Sequence, residues 1–204
     1  MSNDLMLDVG QANELKLAFR RAGYSNDEIK QLCEGNTLAD VRNVLLGCAE
    51  IKAMEHVINC DTDPFVPSGW RVEKHEKSGS FRWDPKQVQF YLSKSQKKDG
   101  SIVGNKLRTE LADKPVLNAN VLEYLLAHPH LIPEAWKEET NGDTTCVFFW
   151  GTIYCDSDGD LCIRCLFWDG DGWYWDCGWL DDVWSNDYPA ALRAPQSSAT
   201  GQAS

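Results

Sequence analysis

Residues 146–180 read CVFFWGTIYCDSDGDLCIRCLFWDGDGWYWDCGWL, and this stretch decides the fold class. Three runs of aromatic and β-branched residues alternate with short segments of Asp and Gly. Such runs are typical of strands, and the pairs Asp158-Gly159 and Asp169-Gly170 favour two-residue hairpin turns. The stretch therefore predicts a three-stranded antiparallel meander that is rich in Trp.

The two turns fix a predicted strand register. In that register Cys155, Cys162 and Cys177 form one row across the three strands, with neighbours roughly 5 Å apart. Three thiols in a row could bind a metal or form a disulfide, but a buried cysteine often serves as a small apolar residue. We expect no metal site, and these three cysteines are the alternative if one exists.

Both faces of the predicted meander are largely apolar, whereas a half-exposed antiparallel sheet alternates apolar and polar residues. Helices of the same chain can cover both faces, or a partner or ligand can cover one. Arg164 lies opposite Trp175 in the predicted register, where it would stack on the indole or reach an acidic group. The residues expected to contact a partner or ligand share one face, and they are Arg164, Trp168, Trp173, Trp175 and Trp179.

The rest of the chain is predicted to be α+β. The capping box of Ser25 with Glu28 is one of several signals for three short N-terminal helices. A Ser78-Gly79 turn suggests a hairpin, and Asp84-Pro85 suggests the start of a helix. The predicted segments are a helical unit (1–58), a connector (59–69), a central α+β segment of hairpin plus helices (70–137), a linker (138–145), the meander packed on the preceding segment (146–188) and a disordered tail (189–204).

The chain has 204 residues and a formal net charge of -11. It opens on acidic residues and contains no long apolar run, so we expect a cytoplasmic protein with free thiols and no membrane segment. Residues 144–204 hold nine Asp against two Arg, a balance of -7 that would repel a polyanion. Residues 85–114 hold seven basic and three acidic residues, a balance of +4. The basic residues that could contact nucleic acid are Lys94, Lys97, Lys98, Lys106 and Arg108.

Familiar chemical motifs are weak in this sequence. Cys162 and Cys165 form a C-x-x-C, but residues three apart on a strand point to opposite faces and cannot chelate one ion. The run from Asp156 to Asp160 resembles a calcium loop with its Gly misplaced, and turn chemistry explains it equally well. The set His56, Cys60, Asp61 and Asp63 is a weak metal pattern. Because nucleophile elbows, phosphate loops and paired carboxylates are also missing, we lean against an enzyme and expect no cofactor.

Three stretches carry a resemblance: GWRVEKHEKSGSFRWDP, GNKLRTELADKPVLNANVLEYLLAHPHLIPEAW and FFWGTIYCDSDGDLCIRCLFWDGDGWYWDCGWLDDVW. Together they span about residues 64–190 and resemble a family of uncharacterised bacterial proteins. The resemblance implies a bacterial origin and a family in which the meander recurs. It implies no activity, cofactor or site.

The sequence favours a binding or regulatory module without enzymatic activity, whose aromatic sheet face contacts a protein partner or a second copy of the chain. One alternative is a nucleic-acid-binding regulator that uses residues 85–114. Another is a module that stacks a sugar or other small ligand on its Trp side chains.

Overall fold

The computed structural model describes residues 6–52, 54–97, 100–137, 139–140 and 143–195. The chain divides into two compact units, residues 1–54 and 55–204. Within the described ranges there are five α-helices and a seven-stranded mixed sheet, so the predicted α+β class is confirmed.

The first unit contains α1 (Val9–Arg21), α2 (Asn26–Leu32) and α3 (Thr37–Leu45). The predicted capping box at α2 is present, because the Ser25 hydroxyl accepts from the Glu28 amide and the Glu28 carboxylate accepts from the Ser25 amide. None of the three helices contains a buried residue. The described part of this unit therefore has very little hydrophobic core.

The second unit holds two helices and thirteen short strands within its described residues. In chain order they are β1 (Val57–Asn59), β2 (Arg71–His75), β3 (Ser80–Arg82), β4 (Val88–Tyr91), β5 (Ile102–Val103), α4 (Gly104–Leu111), α5 (Ala119–Ala127), β6 (Glu139–Thr140), β7 (Asp143–Thr144), β8 (Val147–Phe148), β9 (Thr152–Cys155), β10 (Leu161–Trp168), β11 (Trp173–Trp179), β12 (Val183–Trp184) and β13 (Ala190–Arg193). Single 3-10 turns lie at Pro85–Gln87, Pro129–Leu131 and Glu134–Lys137.

Strand β10 is the centre of the main sheet. Strand β11 pairs along one side of it, and β8 and β9 share the other side, separated by residues 149–151. Beyond them, β9 pairs with β2, β8 pairs in parallel with β13, and β13 pairs with β4. The predicted three-stranded meander is thus only loosely matched. Its first strand is divided into β8 and β9, and these pair antiparallel with β10, as β11 does, within a larger mixed sheet.

The first predicted turn is wrong in length. The loop between β9 and β10 spans residues 156–160, so Cys162 lies opposite Tyr154 rather than Cys155. One Asp156 carboxylate oxygen accepts from the amides of Asp158 and Asp160, and these hydrogen bonds hold the wider loop. A slip of one residue turns a strand over, which places Cys155 on the face opposite to Cys162. The predicted row of three thiols does not form.

The second predicted turn is also too short. The loop between β10 and β11 spans residues 169–172, so Trp168 pairs with Trp173 and Arg164 pairs with Cys177. A shift of two residues preserves the face of every side chain, because side chains on a strand alternate with a period of two. The predicted face of β11 is therefore correct, although its cross-strand partners are not.

Both faces of β10 are covered by the same chain. On one face Ile163 and Cys165 join a buried cluster that includes Leu107 of α4. On the other face Leu166 joins a cluster that includes Leu122 of α5. Of the arrangements that the sequence left open, self-coverage is the one found at β10, whereas β11 carries the exposed aromatic residues Tyr174, Trp175 and Trp179.

Several predictions for the central segment are corrected. The Ser78-Gly79 turn does not join a hairpin, because β2 pairs with β9 while β3 pairs with β1. The helix expected after Asp84-Pro85 is one 3-10 turn followed by β4, whose backbone groups pair with β13. Long-range pairing thus replaces the helical hydrogen bonds that the local sequence favours.

Two predicted irregular segments contain strands. In the predicted linker, β6 pairs with β7, and residues 138, 141 and 142 lie outside the described ranges. In the predicted tail, β13 joins the main sheet, and its first residue Ala190 is fully buried. Residues 196–204 lie outside the described part of the chain, so the prediction of disorder there is untested.

Candidate functional site

The residues predicted to contact a partner, Arg164, Trp168, Trp173, Trp175 and Trp179, lie on one face of β10 and β11. They occupy three different environments on that face. Trp168 and Trp173 are half-buried and pack edge to face, with ring centroids 5.4 Å apart. The Lys137 ammonium lies 3.8 Å from the Trp168 ring centroid. These two indoles therefore form part of the packed boundary of the core.

Arg164 lies at the centre of the face and is only 1% exposed. Its guanidinium stacks on Trp175, with 4.0 Å between the Cζ atom and the ring centroid. Its Nη1 atom donates to the Glu123 carboxylate of α5 in an ion pair. The predicted stacking and the predicted acidic partner are both present, although Trp175 is diagonal to Arg164 rather than opposite.

The Arg164 guanidinium is incompletely satisfied. Its Nε and Nη2 atoms are buried, and no described residue accepts a hydrogen bond from them. A buried charge is tolerated when it is paired and flanked by polarisable rings. Glu123 and Trp175 therefore carry most of the compensation for burying this cation.

The loop before β2 extends the aromatic surface. The Tyr154 hydroxyl donates to the Phe65 carbonyl at 3.0 Å, and Trp70 lies 6.3 Å from Trp175 between ring centroids. Burial raises the pKa of the Tyr154 hydroxyl, and the neighbouring Arg164 offsets part of that rise. We call the exposed side chains Phe65, Trp175 and Trp179, together with half-buried Trp70, the aromatic surface.

Trp179 is held in place by Asp156. The indole Nε1 donates to the second carboxylate oxygen of Asp156 at 2.9 Å. This hydrogen bond is the largest cause that lowers the pKa of Asp156, and backbone amides of the 156–160 loop contribute further. The Asp-rich loop therefore serves turn geometry and the position of Trp179. In the described ranges no group of three or more His, Cys, Asp or Glu side chains is placed to hold a metal ion.

Strand β11 is an edge strand in the described structure. The Leu180 amide donates to the Leu161 carbonyl, so residues 161 and 180 form a hydrogen-bonded pair. In an antiparallel ladder every second pair is of this kind, so the backbone groups of residues 174, 176 and 178 also point toward β10. The backbone groups of Trp173, Trp175, Cys177 and Trp179 therefore face away from β10. The Cys177 amide is satisfied by the Asp176 carboxylate at 2.8 Å, and no described strand pairs with this outer edge.

The surroundings of β11 are acidic. From residue 144 onward the chain carries nine Asp and two Arg. Both of these cations lie against aromatic rings, Arg164 on Trp175 and Arg193 5.2 Å from the Phe81 ring centroid. The exposed side chains on and next to β11 therefore include aromatic rings (Tyr174, Trp175 and Trp179) and several carboxylates (Asp169, Asp171, Asp176, Asp181 and Asp182).

The basic residues proposed for nucleic acid do not share one element. Lys94 and Lys97 are exposed in a turn after β4, whereas Lys106 and Arg108 lie on α4. Arg108 is half-buried beside Trp150 at a small cavity of about 70 Å³. Lys98 lies outside the described residues.

The structure brings together histidines that the sequence left scattered. His56 Nδ1 is 2.8 Å from the Tyr124 hydroxyl, and the rings of His56, His128 and His130 have centroids 6.1–6.3 Å apart. His56 contacts this group instead of forming the predicted set with Cys60. No local spacing links residue 56 with residue 128, so the sequence offered no signal for this cluster.

Comparisons of the chain with protein-family models, with curated proteins and with solved structures find no match. The resemblance to a bacterial family therefore remains an expectation. Among the described residues no helix is long and apolar enough to cross a membrane. Any functional conclusion has to rest on the geometry of the site.

Proposed function

We propose that this protein is a binding module that captures a basic, extended segment of a partner protein by adding it as a strand to the free edge of β11. The observation that carries the proposal is the outward-facing backbone of β11 beside exposed Trp side chains. An extended peptide would pair with those backbone groups, which is the mode of recognition called β-augmentation.

The edge is long and only partly protected. β11 has seven residues, and free strand edges in native proteins are usually short, bulged or covered. The Asp176 carboxylate caps one outward amide, that of Cys177, and it leaves the amides of Trp173 and Trp175 available. A partner strand has room to pair at the beginning of β11, where those amides lie.

The aromatic surface supplies contact area for such a segment. Trp175 and Trp179 are 39% and 40% exposed, and each is fixed by a polar contact, with Arg164 and Asp156 respectively. Rigid, half-exposed Trp side chains lose little conformational entropy on binding and dominate many interfaces. They are also good stacking partners for an arginine or lysine of the partner.

Charge complementarity sets the chemistry of the partner. The nine Asp after residue 144 favour a segment that carries Lys or Arg and disfavour an acidic one. Side chains of an added strand alternate between the two sheet faces. Basic residues on one face would stack on the Trp rings, and those on the other face would approach Asp176.

Binding of a synthetic peptide tests the proposal. The probe is a fluorescein-labelled peptide of ten residues in which Arg alternates with Val, and the control probe carries Glu in place of Arg. At about 50 mM salt we expect the anisotropy of the Arg peptide to rise on binding and the Glu peptide to show no change. Raising the salt should weaken the binding.

A pair of variants localises the binding. Trp175→Ala should weaken the Arg peptide about tenfold or more, because it removes a central aromatic contact. Phe90→Ala removes a similarly exposed ring, 37% exposed, from β4 at the far edge of the sheet and should change nothing. Equal binding of both peptides, or equal effects of both variants, would refute the proposal. So would a dimer that dissociates on Trp175→Ala, since a second copy would then occupy the edge.

A further inference from the structure

Two cysteines meet on the sheet face that is opposite to the aromatic surface. Cys165 of β10 pairs across the sheet with Phe148, and Cys146 precedes Phe148 by two residues, so both thiols lie on the same face. An interaction between the two thiols shifts the pKa of each, while the Cys146 Sγ itself donates to the Thr144 carbonyl oxygen at 3.7 Å. Cys165 is buried, whereas Cys146 is only half-buried. The arrangement places a partly accessible cysteine beside a buried one on the same face.

Both thiols open onto the same cavity, which has a volume of about 360 Å³. Aromatic side chains form much of its wall, including Phe148, Trp184 and Tyr188. Two carboxylates, those of Asp176 and Asp182, also line it. A small molecule that entered the cavity would therefore reach the sulfurs while in contact with rings and negative charge.

The interaction makes the two thiols unequal. Hydrogen bonding with Cys165 is the largest cause acting on Cys146, and it lowers the pKa of the Cys146 thiol, although burial and the charges of Asp187 and Asp176 oppose it. The same contact, together with burial, raises the pKa of the Cys165 thiol. Cys146, the more accessible residue of the pair, is therefore the one that loses its proton more readily, and the thiolate is the nucleophilic form of cysteine.

We propose that Cys146 and Cys165 form a reactive dithiol that is oxidised by small, neutral or cationic disulfides entering this cavity. The Cys146 thiolate attacks one sulfur of the disulfide RSSR, the S–S bond breaks, and one RS⁻ leaves with the electron pair of that bond. Cys165 then loses its proton to solvent and attacks the Cys146 sulfur. The Cys146–Cys165 disulfide forms, and the second RS⁻ leaves. In total two protein thiols are oxidised and one RSSR is reduced to two RSH.

The carboxylates give the reaction its selectivity. Asp176 and Asp182 repel an anionic disulfide and attract a cationic one at short range. Cystamine carries an amine at each end, whereas glutathione disulfide carries a net negative charge. Cystamine should therefore react faster than glutathione disulfide, whereas unselective oxidation would show equal rates.

The remaining cysteines provide internal comparisons. Cys162 and Cys177 also interact and shift each other's pKa, but of these two only Cys177 lines the cavity. Cys33 and Cys48 are exposed, and each can form only mixed disulfides with the reagent unless another thiol approaches. Formation of an internal disulfide specifically between Cys146 and Cys165 thus distinguishes the proposed pair from the rest.

The test treats the folded full-length chain with cystamine or with glutathione disulfide, blocks residual thiols, and maps peptides by mass spectrometry. We expect the Cys146–Cys165 crosslinked peptide to appear first, and about fivefold or more faster with cystamine. Cys165→Ser should leave a persistent mixed disulfide at Cys146, because the resolving thiol is gone. Cys48→Ser is the matched control and should leave the crosslink unchanged.

Several results would overturn the proposal. One is a Cys162–Cys177 crosslink forming ahead of Cys146–Cys165. Another is modification of Cys33 and Cys48 alone. Equal rates with both reagents would remove the selectivity claim. Because Cys165→Ser alters a buried site, near-ultraviolet circular dichroism checks its fold, and the half-buried Cys146→Ser variant serves as a second test by abolishing the crosslink.

Discussion

At the scale of single residues, the ion pair of Arg164 and Glu123 is unequal, and it predicts an unequal pair of mutational effects. The Arg164 side chain is 1% exposed, whereas the Glu123 side chain is 34% exposed. Glu123→Gln leaves a buried cation without its charge partner and should cost about 2–4 kcal/mol in the free energy of unfolding. Arg164→Met leaves only a carboxylate that water can reach, so its cost should stay within about 1 kcal/mol.

Chemical denaturation of the two variants measures this difference. Glu55→Gln is the control, because Glu55 and Arg82 form an ion pair that is well exposed on both sides. We expect that control to change the stability by less than about 0.5 kcal/mol. Equal costs for Glu123→Gln and Arg164→Met would show that Arg164 does not depend on Glu123.

Asp156 predicts a pH dependence of stability. Its pKa in the folded protein is lowered, chiefly by the hydrogen bond from the Trp179 indole. A carboxyl with a lowered folded pKa stabilises the fold fully above its unfolded pKa, and the contribution disappears as pH falls through the folded pKa. Asp156→Ala should therefore destabilise the protein at pH 7, and the difference from the unmodified chain should shrink below about pH 4.

Urea unfolding at a series of pH values tests this expectation. Asp158→Ala is the matched control, because Asp158 lies in the same loop and makes no side-chain contact with Trp179. Its effect should not vary in the same way with pH. A pH-independent effect of Asp156→Ala would mean that the carboxylate charge does not contribute.

For single residues, the sequence predicted which side chains would interact better than it predicted their positions across the strands. The residue types alone were enough to expect that Arg164 would either stack on Trp175 or reach an acidic group, and the structure has both contacts. The identity of that acid, Glu123 on α5, could not be predicted, since it depends on how a helix 41 residues away in sequence packs on the sheet.

At the scale of secondary-structure elements, the start of α4 is tightly packed. A Cβ atom on Gly104 would lie 2.7 Å from the Leu180 carbonyl oxygen and 2.5 Å from the Trp184 Nε1 atom. Gly104→Ala should therefore cost about 1–3 kcal/mol, even though Ala is the better helix former. Thermal unfolding measures this, and Thr109→Ala on the exposed side of α4 should stay within about 0.5 kcal/mol. A stabilising Gly104→Ala would contradict the packing.

The strands of the meander were predictable, but its loops were not. Aromatic and β-branched runs identify β10 and β11 because side chains on a pleated surface pack in this way. Both loops are longer than two residues, and in the loop between β9 and β10 the Asp156 carboxylate satisfies two amides of its own loop. A side chain that competes for backbone hydrogen bonds thus shifted the strand register by one residue, and this shift placed Cys155 on the opposite face.

At the scale of the whole molecule, the two units differ in how much core they contain. No described residue of α1, α2 or α3 is buried, and Leu45 is 82% exposed. Among the described residues, all of the buried apolar clusters lie in the second unit. Burial of apolar area is the main source of stability, so the second unit should account for cooperative unfolding.

Fragments test this division directly. The fragment 55–204 should unfold cooperatively, with a Tm within a few degrees of that of the full chain. The fragment 1–54 should show weak helicity and no cooperative transition, because short helices without a core are marginal in water. A sharp transition in the short fragment would show that its helices bury more surface than the structure indicates.

The topology of the main sheet lay beyond sequence reasoning. β2 and β13 reach the sheet from both ends of the second unit and pair with β9 and β8. Neither pairing could be predicted from the local sequence, because the residue pattern of β2 does not specify a partner strand and β13 has only four residues. The negative charge of the C-terminal region, by contrast, is evident from the sequence, and the proposal of a basic partner is based on it.

The most direct test of the central claim is amide hydrogen exchange across β11 with and without the Arg-Val peptide. The claim predicts that the peptide slows exchange at the outward amides of Trp173 and Trp175, because an added strand would accept their hydrogen bonds. The Cys177 amide, already bonded to Asp176, and the edge strand β4 should change little. Protection confined to β4 or to residues 94–108, or binding without protection of β11, would contradict strand addition at this edge.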